Sequence, residues 1–336
     1  MKAALLTELN APLVLMDAKP YGPQQGQALV RVLVSGICGK QLGEIRGDYD
    51  ANAPRPRLLG HEGCGIVEET YGTKLKKGQK VVMHWRKGSG MESESPAYDL
   101  PFGRITSGQV TTFSEFSVCS ENRLTPVPMD TPNELCALLG CGLSTSLGVM
   151  ENEAQLKAGE SVLIVGCGGV GLNLIRVSRM MGAAALGGVC QDFDVERKKI
   201  YAAGAQYAIQ FPESSSAPMQ WDVIVDTTGN VDAIEAALPL LAPSGRFIFV
   251  GQPKPGADVI LYGARHLFDG EGKTLKATQG GGFNPEKDIP RYVAMWKSGH
   301  LKIDGIVTHR FPLDRVNEAL DAVRSGQAGR AMLLME

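Results

Sequence analysis

The chain has 336 residues, 43% of them hydrophobic and 21% charged, with a formal net charge of −2. That length is comfortable for two domains, and that charge gives no bulk attraction to nucleic acid or an anionic membrane. No apolar run is long enough to span a bilayer, and the N-terminal apolar stretch is too short for a secretory signal. The expectation is therefore a cytoplasmic protein with neither kind of partner.

Seven cysteines are scattered from Cys38 to Cys190. An odd number without a signal peptide argues against a disulfide framework. Taken singly, each reads as a small buried apolar residue.

In chain order, residues 1–145 read as short β segments punctuated by Gly and Pro. Strands are predicted over 28–34, 65–69 and 80–85. The texture changes near 146, where strands begin to alternate with helices, the signature of a parallel sheet covered on both faces. Ser161–Val165 is a short apolar strand, followed by a Gly-rich turn, a helix over 170–181 and a second strand over 183–190. Further strands are predicted over 222–225 and 246–250, and Ser214–Ser216 reads as a loop tip. Past 282 come a helix over 289–298, a strand over 305–308 and a helix over 313–325. The predicted division is 1–145, 146–281 and 282–336.

Gly166-Cys167-Gly168-Gly169-Val170-Gly171 matches G-x-G-x-x-G between a strand and a helix. In that context the first Gly permits the turn, the second lets a pyrophosphate approach the backbone and the third lets helix and strand pack, with the anion at the helix N-terminus. The acidic residue that binds the adenosine ribose is placed at Asp192, with capping of the next helix as the alternative reading. With no Arg directly after the strand, NAD is preferred over NADP. Val250 joins the cofactor-binding set.

Three segments carry the remaining chemistry: Ser35-Gly36-Ile37-Cys38-Gly39, Leu59-Gly60-His61-Glu62-Gly63 and Gly140-Cys141-Gly142. Two thiolates and an imidazole suit a catalytic zinc with its fourth position open. Zinc there polarises a carbonyl or eases loss of an alcohol proton.

With these motifs the sequence resembles the zinc-dependent alcohol and polyol dehydrogenases of the medium-chain dehydrogenase/reductase family along essentially its whole length. The most specific motif is G-H-E-x-x-G at Gly60–Gly65. The resemblance implies a GroES-like β catalytic domain with an inserted Rossmann domain, a doubly wound parallel sheet, and an active site in the cleft between them. It implies Cys38, His61 and Cys141 as zinc ligands, with Glu62 behind the metal. It places Thr145 and Val170 on the nicotinamide ring, Arg330 on the cofactor phosphates, Trp85 in the substrate pocket and Arg197 near the ribose. The last two could instead be a packing residue and a solvated charge. A homodimer or homotetramer is implied.

Three departures stand out. Residues 86–107, where many relatives carry four cysteines for a structural zinc, contain none, so one zinc per chain is expected. Lys40 stands where Ser or Thr usually binds the substrate oxygen; it either raises the positive potential at the metal, favouring an anionic substrate or a carboxylate such as Glu44, or swings out to solvent. Gln41 stands where an Asp usually orients a ligand histidine; it can accept from the imidazole but adds no charge. The leading reading is hydride transfer between NAD(H) and a small-molecule alcohol or carbonyl substrate, such as a sugar, polyol or anionic biosynthetic intermediate. A zinc-free reductase and a non-catalytic nucleotide-binding protein of the same fold remain alternatives.

Overall fold

The structure, a computed structural model, describes residues 1–49, 51–211 and 219–335; the expected loop tip Ser214–Ser216 lies outside them. Contacts divide the chain into two compact units, one formed by Met1–Gly142 with Asn284–Glu336 and the other by Leu143–Phe283. No helix among the described residues is long and apolar enough to cross a membrane.

The first unit is built on a seven-stranded sheet. Across it run Leu124–Val127, Lys80–His84, Glu62–Thr70, Gln27–Gly36, Ala331–Leu334 and His309–Pro312. The long strand Gln27–Gly36 is shared on its other edge, its first half pairing with Phe116–Ser120 and its last residues with Ala331–Leu334. Alternate β-branched residues fill one side: Val30, Val32, Val67 and Val81 pack with Met83 and Leu124, as a period of two requires.

This part is not purely β. Gly39–Arg46 and Asn133–Leu139 are α-helices. Gly39–Arg46 has the weak apolar pattern of a short helix, and its Ile45 is buried in one cluster with Ile37, Leu313, Val316 and Leu320. Tertiary burial decides such a helix more than propensity does.

Two of the differences from the predicted elements have a clear local cause. The helix predicted over 289–298 begins at Pro285, because Asn284 caps it by accepting from the N–H groups of Glu286 and Lys287 and Pro285 fits the first helical position. Residues 305–308 are not a strand. Gly305 has φ +70° in a turn, and the strand forms at His309–Pro312, parallel to Ala331–Leu334.

The second unit is a six-stranded sheet, parallel throughout. Its strands are Ser161–Val165, Ala185–Cys190, Tyr207–Gln210, Trp221–Asp226, Leu241–Phe249 and Thr274–Ala277, in spatial order 3-2-1-4-5-6. That is the doubly wound order with a switch point between its first and fourth strands. Ser161–Val165 is buried at every position, as a central parallel strand must be. Leu163, Val165, Ile224 and Phe247 pack with Trp221 and Ile234 in this core.

Candidate active site

Strand register brings the first two candidate metal-binding side chains together. The antiparallel pairs Val34↔Cys64 and Ser35↔Gly63 run on so that Ile37 and Cys38 leave one strand beside His61, which enters the other. Glu62↔His84 continues outward to set Trp85 across from His61. The third side chain arrives from the helix Asn133–Leu139. Its C-cap, Gly140, sits so close that a Cβ would lie 2.9 Å from the Glu62 Cα and strike the Met83 carbonyl. Only glycine lets Cys141 reach this position.

One donor atom from each of Cys38, His61 and Cys141 lies within 4.8 Å of the others. Cys141 is buried, and Cys38 and His61 are half-buried. The Cys38 thiol is held well below the usual thiol range. The Cys141 S–H donates to it, His61 hydrogen-bonds to it, and Arg330 adds positive charge, all against the cost of burial. Two thiols and an imidazole, one already favouring thiolate, suit a tetrahedral zinc with one open position.

Behind this trio lies a buried ion pair. Glu62 has 0% exposure and Arg330 3%, and Arg330 Nη2 donates to Glu62 Oε1. The Gly142 N–H donates to the other oxygen at 3.3 Å. Burial pushes the Glu62 carboxyl up, and Arg330 pulls part of that back. Arg330, expected on cofactor phosphates, thus faces Glu62 and the two cysteines.

Gln41 and Lys40 stand on the first turn of the helix that Cys38 opens. Gln41 is fully buried. Its Oε1 accepts the Cys38 N–H at 3.0 Å, and its Nε2 lies 2.8 Å from His61 Nδ1 and donates to Glu44 Oε2 at 3.4 Å. The contact between Gln41 and the imidazole is the one the sequence expects, and its direction follows the tautomer of His61. Lys40 neither swings free nor pairs with Glu44. Its Nζ lies 3.5 Å from the centre of the Tyr49 ring, a cation–π contact. A Cβ on Gly43 would strike that same ring, so the small residue at 43 makes room for it. Burial and the charge of Cys38 push the Tyr49 phenol up. Tyr49 carried no motif and was missed in the sequence.

Trp85 is half-buried, and its indole N–H is buried without a hydrogen-bond partner among the described residues. The cysteine-free stretch after it is tied down by carboxylates. Glu121 accepts from the N–H groups of Thr73 and Met91 at 3.0 and 2.9 Å. Glu92 bridges Lys87 and Arg123.

In the second unit the fingerprint glycines have separable reasons. Gly166 has φ +89°. A Cβ on Gly171 would run into the Gly166 carbonyl, whereas one on Gly168 would meet nothing within 4 Å. Gly168 therefore marks open space at the start of the helix Gly169–Met180, which no side chain caps. That space suits a phosphate, which such a helix end favours. Across the switch point, Thr227 Oγ1 donates to the carbonyls of Val165 and Gly166. Val250 N–H donates to the carbonyl of Asp226 at 2.9 Å.

Thr145, on the helix Gly142–Gly148, is 5% exposed. Its neighbour Ser146 donates to the Val170 carbonyl at 3.3 Å, which ties this helix to Val170. Asp192 caps the helix Phe193–Ala203, accepting from Val195 N–H at 3.2 Å. Arg197 lies over Phe193 of its own helix, 5.3 Å from the ring centre, and 3.7 Å from Asp194.

Two family profiles match the chain: the alcohol dehydrogenase GroES-like domain over residues 24–129 and the zinc-binding dehydrogenase domain over residues 203–329. The chain is 29% identical to alcohol dehydrogenase 6 of Peromyscus maniculatus, over 99% of this chain and 97% of that one.

This chain belongs to the zinc-dependent alcohol dehydrogenases of the medium-chain dehydrogenase/reductase family.

Other family members resemble it at similar distance. An NDMA-dependent alcohol dehydrogenase of Amycolatopsis methanolica is 27% identical over 99% of this chain and 98% of its own. The crystal structure of benzyl alcohol dehydrogenase from Acinetobacter calcoaceticus shares the fold with a TM-score of 0.88 at 24% identity, over 100% of this chain and 99% of that one. The GroES-like domain with a Rossmann parallel sheet expected from the sequence is the fold found.

Proposed function

We propose that this alcohol dehydrogenase transfers hydride between NAD(H) and an alcohol or carbonyl substrate at one zinc ion held by Cys38, His61 and Cys141. The observation that carries this reading is the convergence of those three donor atoms within 4.8 Å, with Cys38 favouring its thiolate. When bound, zinc would supply Lewis-acid polarisation of the substrate oxygen and the nicotinamide would take up the hydride.

The chain's own residues orient and balance. Glu62, neutralised by Arg330, backs the donor set. Gly168 and the uncapped helix start admit the pyrophosphate, with Gly166, Gly169 and Gly171 shaping the turn. Thr145, Val170 and Val250 lie toward the nicotinamide, and Asp192 and Arg197 toward the adenosine ribose. NAD is preferred over NADP because no basic residue directly follows the second strand. Lys40 over Tyr49, with the unpartnered Trp85 N–H, favours a polyfunctional substrate such as a sugar, polyol or phosphate- or carboxylate-bearing intermediate. The enzyme is placed in the cytoplasm as a homodimer or homotetramer, which light scattering would test.

The deciding experiment combines elemental analysis with a substrate screen. About one zinc per chain is expected, lost together with activity in His61→Ala. The screen covers alcohols, polyols and sugar phosphates with NAD, with NADP, and with NDMA as an added acceptor, since one relative's name ties it to that compound. Near-zero zinc overturns the metal reading. Binding of NAD with no turnover of any alcohol overturns the enzymatic one.

A further inference from the structure

The turn after the first strand of the parallel sheet lies beside the end of the second strand. Val165 pairs with Val189, and Gly166 N–H donates to the Val189 carbonyl at 3.0 Å. In a doubly wound sheet of this order a pyrophosphate sits at that turn, and the adenosine ribose reaches the end of the second strand, about 20 residues on. The groups at Gln191 and Asp192 therefore meet the 2′ position of that ribose, the one place where NAD and NADP differ.

Two backbone N–H groups stand there, and both are already taken. Glu196 Oε2 accepts from Gln191 N–H at 3.0 Å and from Asp192 N–H at 3.2 Å. The carboxylate reaches back from the first turn of the helix Phe193–Ala203 and lies where an oxygen of a 2′-phosphate would use the same donors. Its charge is felt on both sides of the junction. Burial, Glu196 and Asp192 push the Cys190 thiol at the strand end up to about 12, and burial, Cys190 and Glu196 raise the Cys167 thiol of the fingerprint turn. The adjacent arginine does not offset this. Arg197 lies over Phe193 and 3.7 Å from Asp194.

Resting on the nucleotide reading above, we propose that Glu196 is a specificity-determining residue that excludes a 2′-phosphate, by filling the N–H pair such a group needs and by repelling its charge. A 2′-hydroxyl asks nothing of that pair, because it donates to Asp192, whose carboxylate keeps lone pairs beyond the one given to Val195 N–H. Selectivity for NAD then rests on donors that are occupied, and not only on the lack of a basic residue directly after the strand.

NADH and NADPH differ only in the 2′-phosphate, and the fluorescence of the bound dihydronicotinamide reports either one without turnover. Their affinities are measured for the wild-type chain, Glu196→Gln and Glu196→Ala. Gln keeps an oxygen for the two N–H groups and removes only the charge, whereas Ala removes both. The wild-type chain should prefer NADH. The affinity for NADPH relative to NADH should rise about tenfold in Glu196→Gln, from lost like-charge repulsion, and further in Glu196→Ala, where the phosphate gains two N–H donors. NADH affinity itself should change less than about threefold. Thermal melts check folding, and the Gln variant decides the matter if the Ala variant does not fold. An unchanged ratio in a folded Glu196→Gln chain, an equal loss of both nucleotides, or a wild-type preference for NADPH overturns the proposal. A wild-type chain that binds neither nucleotide overturns the nucleotide reading itself, and this inference with it.

Discussion

Glu62 and Arg330 are ion-pair partners in a fully buried setting, although 268 residues separate them in the chain. The pair stitches the start of the strand Glu62–Thr70 to the residue that leads into the strand Ala331–Leu334 of the same sheet. Its two members are not interchangeable contributions. Removing one leaves the other charged in a medium that does not solvate it.

Arg330→Met should therefore destabilise the fold by about 3–5 kcal/mol, the usual cost of orphaning a buried charge. Adding Glu62→Gln to that variant should restore most of the loss, because the buried carboxylate is then gone. Chemical denaturation of the single and double variants measures this, and a double variant no better than the single one would refute it.

The second and third fingerprint glycines, Gly168 and Gly171, should separate cleanly. Gly168→Ala adds a methyl that meets no protein atom, so the melting curve should move by less than about 0.5 kcal/mol. NAD affinity should nonetheless fall at least tenfold as the methyl enters the phosphate's space. Gly171→Ala strikes the Gly166 carbonyl and should cost about 1–3 kcal/mol of stability as well. Calorimetric titration with NAD and a thermal melt on each variant decide it. A Gly168→Ala chain that binds NAD normally would count against the nucleotide site.

His84 should set part of the acid limit. It is fully buried between the Arg86 carbonyl at 2.7 Å and Thr125 Oγ1 at 2.9 Å, and burial pushes its imidazole down to about 3. The folded state disfavours the imidazolium relative to the unfolded chain. The stabilisation is thus complete above pH 6.5 and is lost as pH falls from there toward 3. The slope is about 1.4 kcal/mol per pH unit. His84→Gln should flatten that dependence in denaturation curves taken between pH 7.5 and 5.

Glu121 should prove to be the fastener of the loop that follows Trp85. Its carboxylate accepts two backbone N–H groups, and Glu121→Ala leaves both without that acceptor at about 1–3 kcal/mol each. Amide exchange of Met91 and Thr73 should accelerate in this variant, while that of Ser161–Val165 stays as in the parent chain.

The doubly wound sheet was legible because its strands are uninterrupted apolar runs and its turns are glycine. The metal-binding trio was legible because each residue sits in a distinctive glycine-flanked segment. What lay around the trio was not. Tyr49 has no local pattern, and only the tertiary placement of Gly43 leaves room for its ring. The contacts of the Gln41 amide with Cys38 and Glu44 are marked by nothing in the sequence. Arg330 was visible as a residue, but its pairing with Glu62 depends on strand order across the sheet. Asp192 illustrates the opposite case, where the helix-capping alternative read from the sequence is the contact observed.

Cys38, His61 and Trp85 are neighbours because, past the register shift between Val32 and Val34, three strands keep one pairing frame to their ends. The side-chain period of a strand is two. A single-residue insertion between Val34 and Cys38, or between His61 and Gly63, would turn these groups to opposite faces together. Length changes among residues 86–107 would leave the frame intact. Across natural variants and engineered libraries, the chain should tolerate gaps in that lobe and reject them at the strand ends, so the pattern of permitted insertions would itself map the reaction centre.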